Sequence, residues 1–251
     1  MNTPSLIAFL SSLLFNILVL GGGSIWIYQK GGIPYLIQKI YSLQNPESRL
    51  KSMYDNPYYW DKKSIFDTLP ESEAEIVFLG DSLTDYCEWQ EFFRSIRIKN
   101  RGISGDTTEG ILNRIDEIIQ SRPTKIFIMI GINDINQGRQ VEDIFNSYEK
   151  ILTKLRSQTP ETSVFIQSLL PVNNRLFPNN LVNQKVILLN EKLRELTQKS
   201  SFQYIDLFPY FLDSNQELDA RYTTDGVHVN GQGYLLWKKI IEKDVLSSSP
   251  A

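Results

Sequence analysis

A three-layer α/β/α fold on a five-stranded parallel sheet, doubly wound in the flavodoxin-like manner, is what this 251-residue sequence predicts. Three observations carry the expectation. From Glu75 onward, short β-forming runs alternate with stretches whose apolar residues recur at helical spacing, the pattern of a parallel sheet covered by helices on both faces. Polar residues interrupt the chain just beyond three of those runs, where sites of doubly wound sheets collect. A hydrophobic fraction of 41% and a charged fraction of 22% describe an ordinary folded chain, long enough for one large domain.

The chain begins with a nearly unbroken apolar run over residues 6–28, and no charged side chain precedes Lys30. As a helix this run would extend about 34 Å, enough to span a bilayer core. Residues 1–5 lack the basic residues of a signal peptide, and apolar Ile25, Trp26, Ile27 and Tyr28 follow the Gly21 and Gly23 that would mark a cut. Residues 1–30 therefore read as a single-pass transmembrane anchor, with a cleaved signal peptide and a buried soluble helix as competing readings. Lys30, Lys39, Arg49 and Lys51 after the span favour a cytoplasmic domain; export to a periplasmic or outer side is the alternative. Residues 31–74 form a connector with Gly31, Gly32, Pro34, Pro46 and Pro57, and its aromatic residues Tyr54, Tyr58, Tyr59 and Trp60 are expected to pack on the domain.

Residues 75–246 carry the domain, with strands expected at 76–79, 96–99, 125–130, 164–169 and 202–205. Ile111, Leu112, Ile115, Ile118 and Ile119 make one helical stripe, with Asp106 as its N-cap and Glu109 as capping partner. Further stripes come from Ile144, Tyr148, Ile151, Leu152 and Leu155, then from Val182, Val186, Leu189, Leu193 and Leu196. A last helix over 233–245 presents Leu236, Ile240 and Ile241, and residues 247–251 are a tail.

The net charge of -3 offers no broad attraction to a phosphate backbone, so nucleic acid is not an expected partner. One cysteine, Cys87, excludes a disulfide framework and a Cys-rich metal site, and it reads as a small buried hydrophobe. His228 is the only histidine. Any mechanism that needs an imidazole must use it.

Asp81 and Ser82 follow the first strand, Asn100 to Gly102 the second, and Gly131 to Asp134 the third, so all three sets face one crevice. A serine hydroxyl is a poor nucleophile until a neighbouring base takes its proton, and the base needs a carboxylate to fix its tautomer. Asp225 and His228, three residues apart in DGVH, can project from one turn with the carboxylate at Nδ1 and Nε2 toward Ser82. Acyl transfer also needs donors aimed at the oxyanion. The candidates are the backbone N–H groups of Ser82 and Gly102 and the side-chain amide of Asn133. Asp81 and Asp134 are expected to brace their loops by accepting backbone N–H groups.

Thr84 stands where a Gly-x-Ser-x-Gly elbow requires its second glycine. Gly80-Asp81-Ser82-Leu83 instead resembles the first block of the SGNH hydrolase superfamily, the GDSL esterases and lipases. Gly102 in NRGISGDTT resembles the second block, Gly131-Ile132-Asn133-Asp134 the third, and Asp225-Gly226-Val227-His228 the last. The resemblance implies the same three-layer fold and a serine esterase without metal or cofactor. It places catalysis on Ser82, Asp225 and His228, and oxyanion binding on Ser82, Gly102 and Asn133. The wording of GISGDTT and DGVHVNGQGY is similar to platelet-activating-factor acetylhydrolase-like and sugar acetylesterase-like members. The expected activity is hydrolysis of acyl esters of lipid or sugar alcohols through an acyl-enzyme on Ser82. An acyltransferase using the same intermediate is one alternative. A flavodoxin-like domain receiving a phosphate or flavin phosphate at the Ser82 and Thr84 hydroxyls is another, and it leaves the Asp225 and His228 pair unexplained.

Overall fold

The computed structural model describes residues 56–69, 76–178 and 182–247. The expected membrane anchor and the first part of the connector lie outside the described residues. Among the described residues, no helix is long and apolar enough to cross a membrane.

Five strands, β1 (Ile76–Gly80), β2 (Ile98–Gly102), β3 (Lys125–Met129), β4 (Ser163–Gln167) and β5 (Gln203–Ile205), pair in parallel in the order β2-β1-β3-β4-β5. The chain leaves β1 toward β2 on one side and returns to β3 on the other. That reversal opens a crevice at the C-terminal end of β1, the place where such sheets bind ligands. The described helices are α1 (Pro57–Thr68), α2 (Ser82–Asp85), α3 (Trp89–Phe93), α4 (Thr108–Gln120), α5 (Ile132–Asn136), α6 (Val141–Gln158), α7 (Val182–Gln198) and α8 (Gly231–Leu246).

Because strand side chains alternate between faces, β1, β3 and β4 each serve two cores. Val77, Leu79, Ile126, Ile128, Val164 and Ile166 face the expected apolar stripes of α4, α6 and α7. Phe78, Phe127 and Phe165 face α3 and α8. They stand opposite one another in register, and their rings stack with centroids 5.1 and 4.5 Å apart, with Trp89 closing the row 4.1 Å from Phe78. Such ring pairs contribute about 0.5–1.5 kcal/mol each beyond their area.

Several local expectations move. The second strand is Ile98–Gly102 rather than 96–99, because pairing sets Ile76 against Ile98 and leaves Ile96 86% exposed at the sheet edge. The fourth strand runs Ser163–Gln167, shorter than 164–169 at its end. The N-cap of α4 is Thr107, whose side chain accepts from the Gly110 N–H, while Asp106 is taken by Arg114. The last helix begins at Gly231 because Asn230 caps it, accepting from the Gln232 and Gly233 N–H groups. Its buried face is Tyr234, Trp237, Ile241 and Val245, with Leu236 and Ile240 only at the margin.

The compact unit starts at Asn56, so α1 of the connector belongs to it. Asn56 caps α1 by accepting from the Tyr58 N–H, and Pro57 occupies its first turn, where no amide is needed. Of the aromatic residues expected to pack, Tyr59 is buried and its hydroxyl donates to the Gly110 carbonyl at 2.8 Å, whereas Tyr58 and Trp60 remain exposed.

Candidate active site

β1 ends in Gly80, and the chain turns at once into α2, with Ser82 as its first residue. Asp81 makes that turn: its Oδ1 accepts from the Leu83 N–H at 3.0 Å, the bracing expected of it. Burial pushes the Asp81 carboxyl up to about 7, and its Oδ2 has no hydrogen-bond partner among the described residues.

Ser82 Oγ lies 2.9 Å from His228 Nε2, although 146 residues separate them. His228 Nδ1 lies 2.6 Å from Asp225 Oδ2. Asp225 Oδ1 accepts from the backbone N–H groups of Val227 (2.9 Å) and His228 (2.8 Å), so the carboxylate both ties its own turn and faces the ring. Burial raises the Asp225 carboxyl, but the hydrogen bonds from the His228 ring and from these two amides outweigh it. They hold the group below the usual carboxylate range. The carboxylate therefore stays charged at neutral pH, as an orienting partner for an imidazolium must. The ring of Tyr86, one helical turn after Ser82 and 55% exposed, stands 5.1 Å from the His228 ring.

The expected oxyanion donors are placed unequally. Asn133 is at the C-terminal side of β3 in α5, and its Nδ2 donates to the Asp106 carbonyl at 2.9 Å, which leaves the second amide hydrogen for a ligand. The Gly102 N–H is already committed: it donates to Asn100 Oδ1 at 2.8 Å. Gly102 does admit a close backbone approach, but to α2, since a Cβ there would sit 2.2 Å from the Asp85 nitrogen. Three residues later Gly105 turns with φ of +82°, and its N–H has no hydrogen-bond partner among the described residues. Asp134 braces its loop as expected, accepting from the Thr108 N–H (3.0 Å) and Oγ1 (2.8 Å) and pairing with Arg139 at 2.6 Å. Burial pushes its carboxyl upward against those bonds.

Thr84 is buried with its hydroxyl turned back toward Gly80, so it is not a surface for a phosphate. Sequence reasoning missed two polar anchors. Asn100 donates through Nδ2 to the carbonyls of Thr84, Asp85 and Cys87 at 2.9, 3.1 and 3.0 Å, holding the exit of α2. Arg114 pairs with Asp106 at 2.8 Å and donates to the carbonyls of Gly80 and Arg101, joining the ends of β1 and β2. A signal for Arg114 existed: a cation on the buried face of α4, between Ile111 and Ile118, needs a buried partner. Asn100 carried none beyond its place at a strand end.

The sequence profile of the GDSL-like Lipase/Acylhydrolase family matches residues 78–236. Platelet-activating factor acetylhydrolase IB subunit alpha1 of Pongo abelii is 30% identical over 171 residues, covering 65% of this chain and 72% of that protein. A solved structure from Streptococcus pneumonia named for platelet activating factor superposes with a TM-score of 0.69 at 27% identity, covering 82% of this chain and 99% of the other. A GDSL-like lipase of Bacteroides thetaiotaomicron shares the fold at 22% identity, with a TM-score of 0.66 over 74% of this chain and 96% of the other.

Proposed function

Because the chain belongs to the GDSL-like lipase/acylhydrolase family of SGNH hydrolases, and is thereby a hydrolase acting on ester bonds, we propose that it cleaves acyl esters of lipid or sugar alcohols through an acyl-enzyme on Ser82. The observation that carries this reading is the unbroken chain from Ser82 Oγ to His228 (2.9 Å) to Asp225 (2.6 Å). Ser82 Oγ attacks the ester carbonyl while His228 Nε2 takes its proton and Asp225 holds the ring in the required tautomer. The tetrahedral oxyanion is held by the Ser82 N–H, the Asn133 amide and the Gly105 N–H, the last in place of the committed Gly102 N–H. His228 then returns the proton to the departing alcohol oxygen. Water, deprotonated by the same ring, attacks the acyl group and releases the acid and free Ser82.

Short acyl groups are the preferred substrates on this reading, supported by the name acetylhydrolase that the relatives carry. The apolar run at residues 6–28 would tether the enzyme to a membrane, and detergent partitioning of the full chain tests that. For the chemistry, Ser82→Ala should abolish hydrolysis of p-nitrophenyl acetate while leaving the thermal midpoint unchanged. A Ser82→Ala protein that turned over the acetate at the wild-type rate would refute the acyl-enzyme. In a series of p-nitrophenyl esters, kcat/KM should fall as the acyl chain lengthens beyond acetate.

A further inference from the structure

The helix that carries Ser82 and the loop that carries Gly105 are joined through the Asp85 carboxylate. Asp85, the last residue of α2, has its carboxylate only 4% exposed. Its Oδ2 accepts from the Ser104 N–H at 3.1 Å and from the Tyr58 hydroxyl at 2.6 Å, and its Oδ1 pairs with Lys62 Nζ at 2.9 Å. Tyr58 and Lys62 are one turn apart on α1, so a single helix face outside the sheet supplies both partners. The Tyr86 hydroxyl meets Ser104 Oγ at 3.2 Å, and the Asn56 amide nitrogen lies 3.7 Å from where a Cβ on Gly105 would be. The Ser104 and Gly105 turn is thus gripped between α1 and α2.

We propose that Asp85, held by Tyr58 and Lys62, is a positioning residue that sets the Ser104 to Gly105 peptide so that the Gly105 N–H meets the reacting carbonyl. This rests on the acyl-enzyme reading and on Gly105 as an oxyanion donor. A buried carboxylate needs compensation, and Lys62 supplies the charge while Tyr58 supplies a second donor. In return, the amide before Gly105 is fixed to the same short helix as the nucleophile. A donor fixed before reaction needs no reorganisation in the transition state. The helix α1, contributed by the connector, then serves catalysis without touching substrate.

The test uses the full chain with p-nitrophenyl acetate as substrate and phenylboronic acid as a mimic of the tetrahedral adduct. Asp85→Ala should lower kcat between about tenfold and hundredfold while KM moves less than about twofold. Across Asp85→Ala, Tyr58→Phe and Lys62→Met, the boronate inhibition constant should rise in proportion to the fall in kcat/KM, a correlation that a purely structural role would not produce. The double variant Asp85→Asn with Lys62→Met, which keeps an acceptor for the Ser104 N–H without an unpaired charge, should recover most of the loss. If Asp85→Ala does not fold, Tyr58→Phe and Lys62→Met decide, since both act at the exposed side of the contact. Unchanged kcat and boronate affinity in the folded variants, with Ser82→Ala inactive, would overturn the positioning role alone. An active Ser82→Ala would instead remove the reading beneath it.

Discussion

A Cβ added at residue 102 would lie 2.2 Å from the Asp85 nitrogen and 2.6 Å from its Cα, both main-chain atoms that a rotamer change cannot move aside. Gly102→Ala therefore has to displace α2 from the end of β2. The expected cost is about 1–3 kcal/mol, read from urea unfolding, together with lost activity because Ser82 rides on the same helix. Asn133→Ala should leave the fold intact and lower kcat by about 10²–10³-fold, with KM nearly unchanged, if its free amide hydrogen stabilises the oxyanion. At this scale the sequence was legible wherever chemistry and local spacing coincide: Asp225 and His228 sit three residues apart in one turn, and that turn alone brings the carboxylate to Nδ1. It was silent at Gly102 on the neighbouring helix that leaves no room for a Cβ there. The commitment of the Gly102 N–H depends on the Asn100 side chain folding back across the strand end, which no spacing rule encodes.

Among the elements, the start of α4 shows how local and tertiary preferences divide two adjacent residues. Asp106 and Thr107 are both good caps, and local propensity does not choose between them. Arg114 chooses: buried on the same helix two turns on, it takes the Asp106 carboxylate at 2.8 Å and leaves the cap to Thr107. Thr107→Ala should cost about 1 kcal/mol, the usual loss of a cap. Asp106→Ala should cost more, about 3–5 kcal/mol, because it strands a buried guanidinium. Equal shifts in denaturant midpoint for the two variants would contradict this division. The strands behave similarly. The apolar runs placed β1 and β3 within a residue of their bounds, whereas β2, an edge strand with Asn100 and Arg101 in its second half, was set two residues early because its register comes from pairing with β1.

Over the whole molecule, the C-terminal edge of the sheet gathers the buried carboxyls of Asp81, Asp106 and Asp134 beneath the crevice. Burial raises Asp81 from 3.8 to about 7 in the folded protein, so between those values the native state binds more protons than the unfolded chain. Its contribution to stability is then fully present below pH 4 or so and is lost as pH rises toward about 7, after which the loss is constant. Asp81→Asn, a neutral isostere, should gain stability over the wild type progressively across that window in urea midpoints measured from pH 4 to 8. A difference independent of pH would exclude the linkage. By itself, the sequence determined the class of fold and the family, and it named Ser82, Asp225 and His228 as the candidates for ester chemistry, since periodicity and residue type are local properties of the chain. Only the tertiary structure decided that Ser82 and His228 meet at 2.9 Å, that the Gly102 N–H is occupied while that of Gly105 has no partner among the described residues, and that α1 grips the loop between them. Those facts depend on the strand order and on side chains reaching between elements, and distances across a fold are not written in the order of its residues.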